Sequence, residues 1–330
     1  MVNMDLVAGV DLGATHTKFG LVNRQGDLLA YDSIPTNSAV SFEEFFSTLS
    51  ERIKRLSISS NGNATIVGVG VGAPAGNQSK GTIDNASNLN WPDSIPVAKL
   101  IENYFALPVS VSNDANAAAV GELMFGLARG KKNFLSITLG TGLGCGIVLD
   151  GKIILGKEGH AGELGHVTAV PDGRRCTCGR RGCLETYASA TGIVRTLKEY
   201  GDEKISQSAL ADYQKKGIDA KKITDAALKG DELSLQAFDD TGRFLGYKLA
   251  DMVALLNPEL IVLSGGLTKS GELIREPTER YMNEHLLPIF KDTVEIKLSE
   301  MSNKKTAVLG AAALSWLRLE KEESFSKSKM

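Results

Sequence analysis

The chain has 330 residues, of which 42% are hydrophobic and 23% charged, values that fit a soluble globular protein with two domains. Its net charge of −2 argues against a general nucleic-acid-binding protein, because such proteins usually carry a strongly basic face. No apolar run approaches the length of a membrane span, and the first residues lack the pattern of a signal peptide. We therefore expect a cytoplasmic protein that binds neither nucleic acid nor membranes.

The first part of the chain alternates predicted strands and helices, which is typical of an α/β protein. Apolar runs that end in Gly or Pro predict buried strands, and apolar residues at helical spacing predict helices. In chain order we predict three strands joined by tight turns over 6–36, a helix over 41–58, a strand over 65–74, a helix over 94–107, a strand over 108–114 and a helix over 115–128.

Residues 133–156 repeat the beginning of the chain in outline. Each segment has an apolar strand, a Gly-rich turn with Thr, a second strand, a tight turn and a third strand, so VDLGAT at 10–15 aligns with ITLGTG at 137–142. A repeated unit of this kind indicates two related halves. The remaining predictions are a helical region over 191–257, a buried strand within 258–267, a strand and then a helix over 306–319, and a disordered tail from 320.

Three Gly-rich turns follow apolar strands, with the sequences DLGATHTK at 11–18, LGTGLGCG at 139–146 and SGGL at 264–267. Gly allows a tight turn whose backbone N–H groups face anionic oxygens. Each turn alone could be a plain hairpin, but three of them, two with Thr hydroxyls, favour a nucleotide site. Asp11 could hold a hydrated Mg²⁺ or cap its turn, and Lys18 could meet a phosphate or point into solvent.

Asn113 and Asp114 stand where a predicted strand gives way to a helix. In phosphoryl transfer, one carboxylate orients the attacking hydroxyl and accepts its proton, and Asp114 suits that role. The local sequence alone favours the simpler interpretation that these two residues cap the helix that follows.

His166, Cys176, Cys178 and Cys183 form a cluster in a chain with few cysteines. Three thiolates and an imidazole are a ligand set for tetrahedral zinc. A disulfide is disfavoured in the cytoplasm, and the Cys-x-x-Cys spacing of a redox centre is absent. The fourth cysteine, Cys145, falls in an apolar strand and is interpreted as a buried free thiol. The pattern predicts a closed, structural zinc site that does not activate water.

These motifs together resemble those of a known family. DLGATHTK and LGTGLGCG, in this order, resemble the two phosphate loops of the actin-like ATPase superfamily. GHAGELGH at 159–166 followed by CTCGRRGCLE at 176–185 resembles the signature of the ROK family (repressors, open reading frames, kinases), and the similarity extends from Gly9 to about Leu317. The resemblance implies an α/β, two-domain actin-like ATPase (ribonuclease H-like) fold with an interdomain cleft. The small domain would span 1–113 with the C-terminal helix at about 309–320, and the large domain 114–308.

The resemblance also implies an activity, that of an ATP- and Mg²⁺-dependent hexose kinase, glucokinase-like, that phosphorylates the sugar 6-hydroxyl. The alternatives are a kinase for N-acetylglucosamine, N-acetylmannosamine, mannose or fructose, or a non-catalytic sugar-sensing regulator. The family's repressors carry an additional N-terminal DNA-binding domain, for which we expect no room before the first phosphate loop. By family analogy we expect a homodimer.

Site residues follow from the resemblance position by position, with Asp114 as the catalytic base. The sugar contacts would be Asn88, Asn113, Asp114, Glu163, His166 and Glu185. The nucleotide and magnesium contacts would be Asp11, Gly13, Thr15, Thr17, Lys18, Gly140, Thr141, Gly142, Gly265 and Gly266. The zinc ligands would be His166, Cys176, Cys178 and Cys183. The loop GAPAGNQ departs from the family's commoner Gly-x-Pro-Gly form at Ala75, which leaves the sugar preference open.

Overall fold

The structure, a computed structural model, describes residues 4–36, 40–59, 64–84, 91–301 and 306–327. The predicted sugar contact Asn88 lies outside these ranges. None of the helices within them is long and apolar enough to cross a membrane. The chain divides into two units, of which unit 1 comprises Met1–Gly130, Ile153–Ala161 and Met301–Met330, and unit 2 comprises Lys131–Lys152 and Gly162–Glu300.

Strands and helices alternate along most of the described chain, as the sequence predicts for an α/β protein. The strands are β1 Met4–Leu12, β2 His16–Val22, β3 Leu28–Pro35, β4 Ala64–Gly72, β5 Gly76–Asn77, β6 Thr82–Asp84, β7 Ser94–Ile95, β8 Val109–Ser112, β9 Phe134–Leu139, β10 Leu143–Leu149, β11 Lys152–Ile153, β12 Leu260–Ser264 and β13 Glu295–Leu298. The helices are α1 Phe42–Ser59, α2 Val97–Phe105, α3 Asp114–Phe125, α4 Ala190–Glu199, α5 Asp202–Ser206, α6 Ala220–Ala227, α7 Glu232–Leu256, α8 Glu272–His285 and α9 Thr306–Lys327.

Unit 1 is built on a mixed sheet whose strands run in the order β3-β2-β1-β4-β8. The first three strands form an antiparallel meander, while β4 lies parallel to β1 and β8 lies parallel to β4. Parallel neighbours need a crossover connection, which α1 and α2 provide. The central strand β1 is buried on both faces, which explains its nearly continuous apolar run.

Alternate residues of β1 contact different helices, as the two-residue period of a strand requires. Leu6 and Val10 pack in the core that includes Phe46 of α1. Val7 packs with Trp316 of α9. Gly9 lies on the same face as Val7 and faces α9, where a Cβ would come within 2.2 Å of the Val308 carbonyl oxygen. A side chain there would push α9 off the sheet.

Helix α9 corrects two predictions. The segment 306–319 is helical throughout rather than a strand followed by a helix, and the predicted disordered tail continues the same helix to Lys327. A short apolar run cannot be assigned to helix or strand from its pattern alone. The polar end is held by ion pairs, because Arg24 of unit 1 lies 2.8 Å from Glu323 and 3.8 Å from Glu320.

Helix α3 belongs to unit 1, whereas the sequence analysis assigned residues from Asp114 onward to the large domain. Ala117 and Val120 of α3 pack with Ala313 and Leu314 of α9. The sequence analysis expected the C-terminal helix to return to the small domain, and α9 lies against both α3 and β1. The two alanines are small and allow the helices to pack closely, and α3 packs with unit 1 through this contact.

Unit 2 repeats the sheet of unit 1. Its strands run in the order β11-β10-β9-β12-β13, with β9 and β10 antiparallel, β9 parallel to β12, and β12 parallel to β13. This is the strand order of unit 1 with each strand replaced by its counterpart, so the structure agrees with the predicted duplication. An irregular segment over 162–189 precedes α4 and contains two short 3-10 turns and two isolated β-bridges.

Candidate active site and metal centre

The carboxyl ends of β1, β4 and β8 meet at one edge of the unit 1 sheet, because the three strands are parallel. Asp11 is the register partner of Gly72, which is in turn the partner of Ser112. Asn113 and Asp114 follow Ser112 directly. Three of the predicted site residues, Asp11, Asn113 and Asp114, are therefore brought to the same edge.

Asp114 is the first residue of α3, and Asn113 is its N-cap. The Asn113 Oδ1 atom accepts a hydrogen bond of 2.7 Å from the backbone N–H of Asn116, which satisfies one of the unpaired donors at the start of the helix. The carboxylate of Asp114 lies over Gly72, with Oδ1 3.9 Å from the position of a Cβ built there. Because Asn113 provides the cap, the Asp114 carboxylate is left for chemistry.

The environment of Asp114 raises the pKa of its carboxyl group. Burial, and to a smaller extent the negative charge of Asp11, raise the pKa of the Asp114 carboxyl to about 7, because the surrounding protein replaces water that would stabilise the anion. By its surface area, however, Asp114 is exposed to solvent, and this water weakens the effect of burial on the pKa. A pKa close to neutrality suits a general base, which must take up a proton at physiological pH.

Asp11 and Lys18 face each other across the β1–β2 hairpin. The Nζ atom of Lys18 lies 3.3 Å from Oδ2 of Asp11. Burial raises the pKa of the Asp11 carboxyl, and the nearby ammonium of Lys18 opposes this shift. Asp11 also raises the pKa of Asp114, so two carboxyl groups repel each other at this edge. A divalent cation held by carboxylate oxygens would relieve that repulsion, and the donor set therefore fits the predicted Mg²⁺.

We call the turn between β1 and β2 turn 1 (residues 13–15). A chain of two hydroxyl groups is hydrogen-bonded to its first carbonyl group. Thr36 Oγ1 donates a hydrogen bond of 2.7 Å to the Gly13 carbonyl. A hydroxyl has only one proton, so Thr17 is the donor in the 2.8 Å contact between the Thr17 and Thr36 hydroxyls. Thr17 is fully buried. It lies behind the turn, which differs from its predicted role as a phosphate contact, because it occupies the buried face of β2.

The second phosphate-loop candidate lies at the corresponding edge of unit 2. We call it turn 2 (residues 140–142), and it follows β9 directly. Thr138 of β9 is the register partner of Ser264 of β12, so turn 2 and the Gly265–Gly266 pair leave the sheet at the same edge. Gly265 has a φ of 98°, a left-handed conformation that favours Gly. The predicted nucleotide contacts of unit 2 are therefore brought together.

The four predicted zinc ligands converge. One nitrogen of His166 and the sulfur atoms of Cys176, Cys178 and Cys183 all lie within 4.8 Å of one another. The Cys178 and Cys183 sulfurs are 3.6 Å apart, and the Cys176 sulfur is 3.7 Å from Nδ1 of His166. A tetrahedral zinc with thiolate ligands has edges of about 3.8 Å. The cluster is compatible with a structural zinc, and all four ligands come from the protein.

Two carboxylates border this cluster from opposite sides of the imidazole ring of His166. Glu185 Oε1 lies 3.6 Å from His166 Nδ1 and accepts a hydrogen bond of 2.9 Å from the Cys176 thiol. Glu163 Oε2 lies 3.9 Å from His166 Nε2. Since Nδ1 faces the cysteines, Nε2 is the ring nitrogen left for a different partner. The other oxygen of Glu185 lies beside turn 2, where a Cβ on Gly142 would be 2.5 Å from it.

Several residues that support these sites carry no local sequence signal. The sequence analysis assigned no contact to Arg174, yet its side chain is only 7% exposed. It donates hydrogen bonds to the carbonyl oxygens of Thr186 at 2.6 Å and Gly192 at 3.2 Å, which ties the metal loop to α4. An arginine in an Arg-rich loop is usually exposed, and only the fold identifies the one that is buried.

The family model of the ROK family matches residues 7–317. The chain belongs to the ROK family. Among curated relatives, the glucokinase of Halalkalibacterium halodurans is 38% identical over 97% of this ROK protein and 96% of the relative. A putative xylose repressor of Caldicellulosiruptor is 30% identical, over 94% of this chain and 78% of the repressor.

A crystal structure of a ROK family glucokinase from Streptomyces griseus, in complex with glucose and AMPPNP, resembles this ROK protein with a TM-score of 0.76 at 31% identity. The likeness covers 94% of this chain and 99% of that one. The predicted family and the predicted actin-like ATPase fold class are thereby confirmed. The match also confirms the prediction of a sugar phosphotransferase of the kinase class.

Proposed function

We propose that this ROK protein is an ATP-dependent glucokinase that transfers the γ-phosphoryl group of ATP to the 6-hydroxyl of glucose. The observation that carries the proposal is the Asp114 carboxylate, which lies at the carboxyl edge of the sheet, has a pKa raised towards 7 and is not needed to cap its helix. Similarity to glucokinases over nearly the whole chain supports the choice of glucose.

Asp114 accepts the proton of the sugar hydroxyl in this mechanism. The hydroxyl oxygen forms a bond to the γ-phosphorus, the bond between that phosphorus and the β–γ bridging oxygen breaks, and ADP leaves with the electron pair. The protein contributes mainly by positioning groups and stabilising charge. The backbone N–H groups of turn 1 and turn 2, together with Lys18, would stabilise the phosphate oxygens.

Two metal ions belong to the proposal. Asp11 would hold a hydrated Mg²⁺, which when bound neutralises charge on the nucleotide phosphates. His166, through Nδ1, and the sulfurs of Cys176, Cys178 and Cys183 would hold a structural Zn²⁺. Because its four ligand positions are filled by protein, this zinc has no place for water or substrate.

The sugar contacts are proposed from the donor and acceptor groups that remain available. Nε2 of His166 faces away from the cysteines, and Glu163 lies near it. Asn113 uses Oδ1 as the helix cap, which leaves its Nδ2 as a donor. Glu185 offers carboxylate oxygens beside turn 2. Directional donors and acceptors of this kind suit the adjacent hydroxyl groups of a hexose.

A coupled ADP-release assay over a panel of hexoses tests the proposed function. We expect turnover with glucose and ATP, and a lower kcat/KM with mannose, fructose, N-acetylglucosamine and N-acetylmannosamine. Turnover of no sugar would overturn the kinase assignment. Glucose binding without turnover would instead favour a sugar-sensing regulator. The similarity to a putative xylose repressor supports that second candidate.

The oligomeric state and the location complete the proposal. We propose a homodimer by family analogy and a cytoplasmic location from the sequence pattern, and sedimentation equilibrium of the full chain would test the oligomeric state. A mass equal to a single chain at micromolar concentration would contradict the dimer.

A further inference from the structure

Both phosphate-turn candidates are fixed by a threonine that lies far from them in the sequence. In unit 1 the residue is Thr36, which is buried. Its hydroxyl donates to the Gly13 carbonyl at 2.7 Å, and its backbone N–H donates to the Thr15 carbonyl at 2.9 Å. One residue therefore fixes the carbonyl groups at both ends of turn 1.

In unit 2 the first residues of α4 perform the same task. The backbone N–H of Ala190 donates to the Gly140 carbonyl at 2.9 Å, and the Thr191 hydroxyl donates to the Thr141 carbonyl at 2.7 Å. These bonds fix two consecutive carbonyl groups of turn 2. Each turn therefore receives one bond from a threonine hydroxyl and one from a backbone N–H.

The direction of these carbonyl groups determines where the N–H groups of the turns point. The described residues contain no cis peptide bond, and in a trans peptide the C=O and N–H groups point in opposite directions. Fixing the Gly13 carbonyl turns the N–H of Ala14 away from Thr36. Fixing the carbonyls of Gly140 and Thr141 does the same for the N–H groups of Thr141 and Gly142.

These N–H groups are placed to bind an anion. Ala14 and Thr141 are exposed, and within the part of the chain that the structure describes, the backbone N–H groups of Ala14, Thr141 and Gly142 donate no hydrogen bond. Two or more such groups in a turn form a concave anion site. The hydroxyls of Thr36 and Thr191 bond to the carbonyl oxygens of these peptide groups, which point away from the N–H groups. The two hydroxyls therefore do not face the anion.

We propose that Thr36 and Thr191 are positioning residues that orient the backbone of the two turns towards the nucleotide phosphates. The inference rests on the proposed function, since it assigns the turns to ATP. Thr191 provides the sharper test. It is exposed, and the buried Ser189 hydroxyl that it contacts at 3.1 Å keeps its bonds to the Glu185 carbonyl and the Gly192 N–H. Thr191→Val therefore leaves no buried polar group without a partner, whereas Thr36→Val also removes the acceptor of the buried Thr17 hydroxyl.

The test compares steady-state kinetics of the full chain with MgATP and glucose. For Thr191→Val we expect the KM for ATP to rise about ten-fold, as the loss of one hydrogen bond would cause, while the KM for glucose stays unchanged. Thr191→Ser keeps the hydroxyl and should restore the KM for ATP. Thr36→Val and Thr36→Ser should behave in the same way, with a lower melting temperature for the valine variant.

The matched control is Thr224→Val. Thr224 is also in unit 2, and its hydroxyl donates to the Ala220 carbonyl within α6 at 2.9 Å, so it bonds to neither turn. We expect wild-type kinetics from this variant. A Thr191→Val variant with wild-type KM for ATP, or with equal losses for ATP and glucose, would overturn the inference.

Failure of the proposed function has a different signature. Calorimetric titration of the wild-type chain with MgATP separates a failure of the proposed function from a failure of this inference. If the wild-type chain binds ATP but phosphorylates no sugar, the kinase assignment falls and the ratio of ATP dissociation constants for Thr191→Val and wild type decides the inference. If the wild-type chain neither binds ATP nor turns over, both are overturned.

Discussion

The two units share one strand order but carry different chemistry at corresponding places. In unit 1 the sheet edge holds Asp11 and Asp114, carboxyl groups whose pKa values are raised by burial. In unit 2 the counterpart of Asp11 is Thr138, and the carboxylate of Glu185 beside turn 2 accepts a hydrogen bond from Cys176 of the zinc candidate. The scaffold positions groups in both units, but unit 1 contains the proposed catalytic carboxylate and unit 2 contains the loop with the proposed zinc ligands. Duplication of a sheet therefore does not duplicate its function.

The largest expected effect is the loss of turnover in Asp114→Asn. An amide cannot accept the proton of the sugar hydroxyl, so we expect kcat to fall by about 10³-fold, within the range typical of a general base. Glucose binding, measured by calorimetry, should remain detectable, because the amide still offers an acceptor oxygen. Full activity of this variant would show that Asp114 does not accept the proton of the sugar hydroxyl.

The next effect concerns the metal loop of unit 2. Wild-type protein should contain about one zinc per chain, and Cys178→Ser should lose it, because a neutral hydroxyl is a poor replacement for a thiolate. We expect the melting temperature to fall by roughly 10 °C, equivalent to about 3 kcal/mol for a unit of this size. The measurements are elemental analysis and calorimetric unfolding.

A serine at Cys145 is the matched control for the metal loop. This cysteine is buried in β10 and is not one of the clustered thiols, so Cys145→Ser should retain zinc. Wild-type protein that folds normally without zinc would contradict the proposed role of the loop.

A smaller effect is expected where turn 2 meets Glu185. A Cβ on Gly142 would lie 2.5 Å from Glu185 Oε2, whereas a Cβ on Gly140 would meet nothing within 4 Å. Gly142→Ala should therefore displace both the turn and the carboxylate, raising the KM values for ATP and glucose about ten-fold, which corresponds to roughly 1.4 kcal/mol. Gly140→Ala should have a smaller effect on both, and equal effects would contradict this contact.

The last effect is a pH-dependent gain of stability in Asp114→Asn, whose size is reduced because Asp114 is exposed to solvent. The folded-state pKa of Asp114 is raised above its ordinary value of 3.8 to about 7, so the folded chain loses stability as pH rises between these values. The asparagine variant does not titrate. Its melting temperature should match that of the wild type near pH 4 and exceed it from pH 7 upward. A constant difference across this range would mean that the pKa is not raised.

The sequence predicts those features that depend on local spacing. The zinc candidate could be identified because its cysteines lie within eight positions of one another, from Cys176 to Cys183, and Asp114 because it follows a strand end. The supports of the turns have no such signal. Thr36 and Thr191 become partners of turn 1 and turn 2 only through folding, across separations of 23 and 50 residues.

The errors of the sequence analysis have physical causes too. Helix α9 was predicted to begin as a strand because residues 307–314 are apolar on all sides, which removes the periodicity that separates a helix from a strand. Thr17 was predicted as a phosphate contact because it belongs to the DLGATHTK motif. Its strand places alternate residues on opposite faces, and Thr17 lies on the buried one.

The pH dependence of kcat/KM for glucose, measured at saturating MgATP with the wild-type chain, tests the central claim most directly. This parameter reports ionisations of the enzyme before the sugar binds, and the central claim is that an ionised Asp114 with a raised pKa accepts the sugar proton. The account predicts that kcat/KM rises with pH along a single-proton limb whose midpoint is raised from the ordinary 3.8 towards 7, because burial raises the pKa of Asp114. A profile that is flat between about pH 5 and 8 would contradict it.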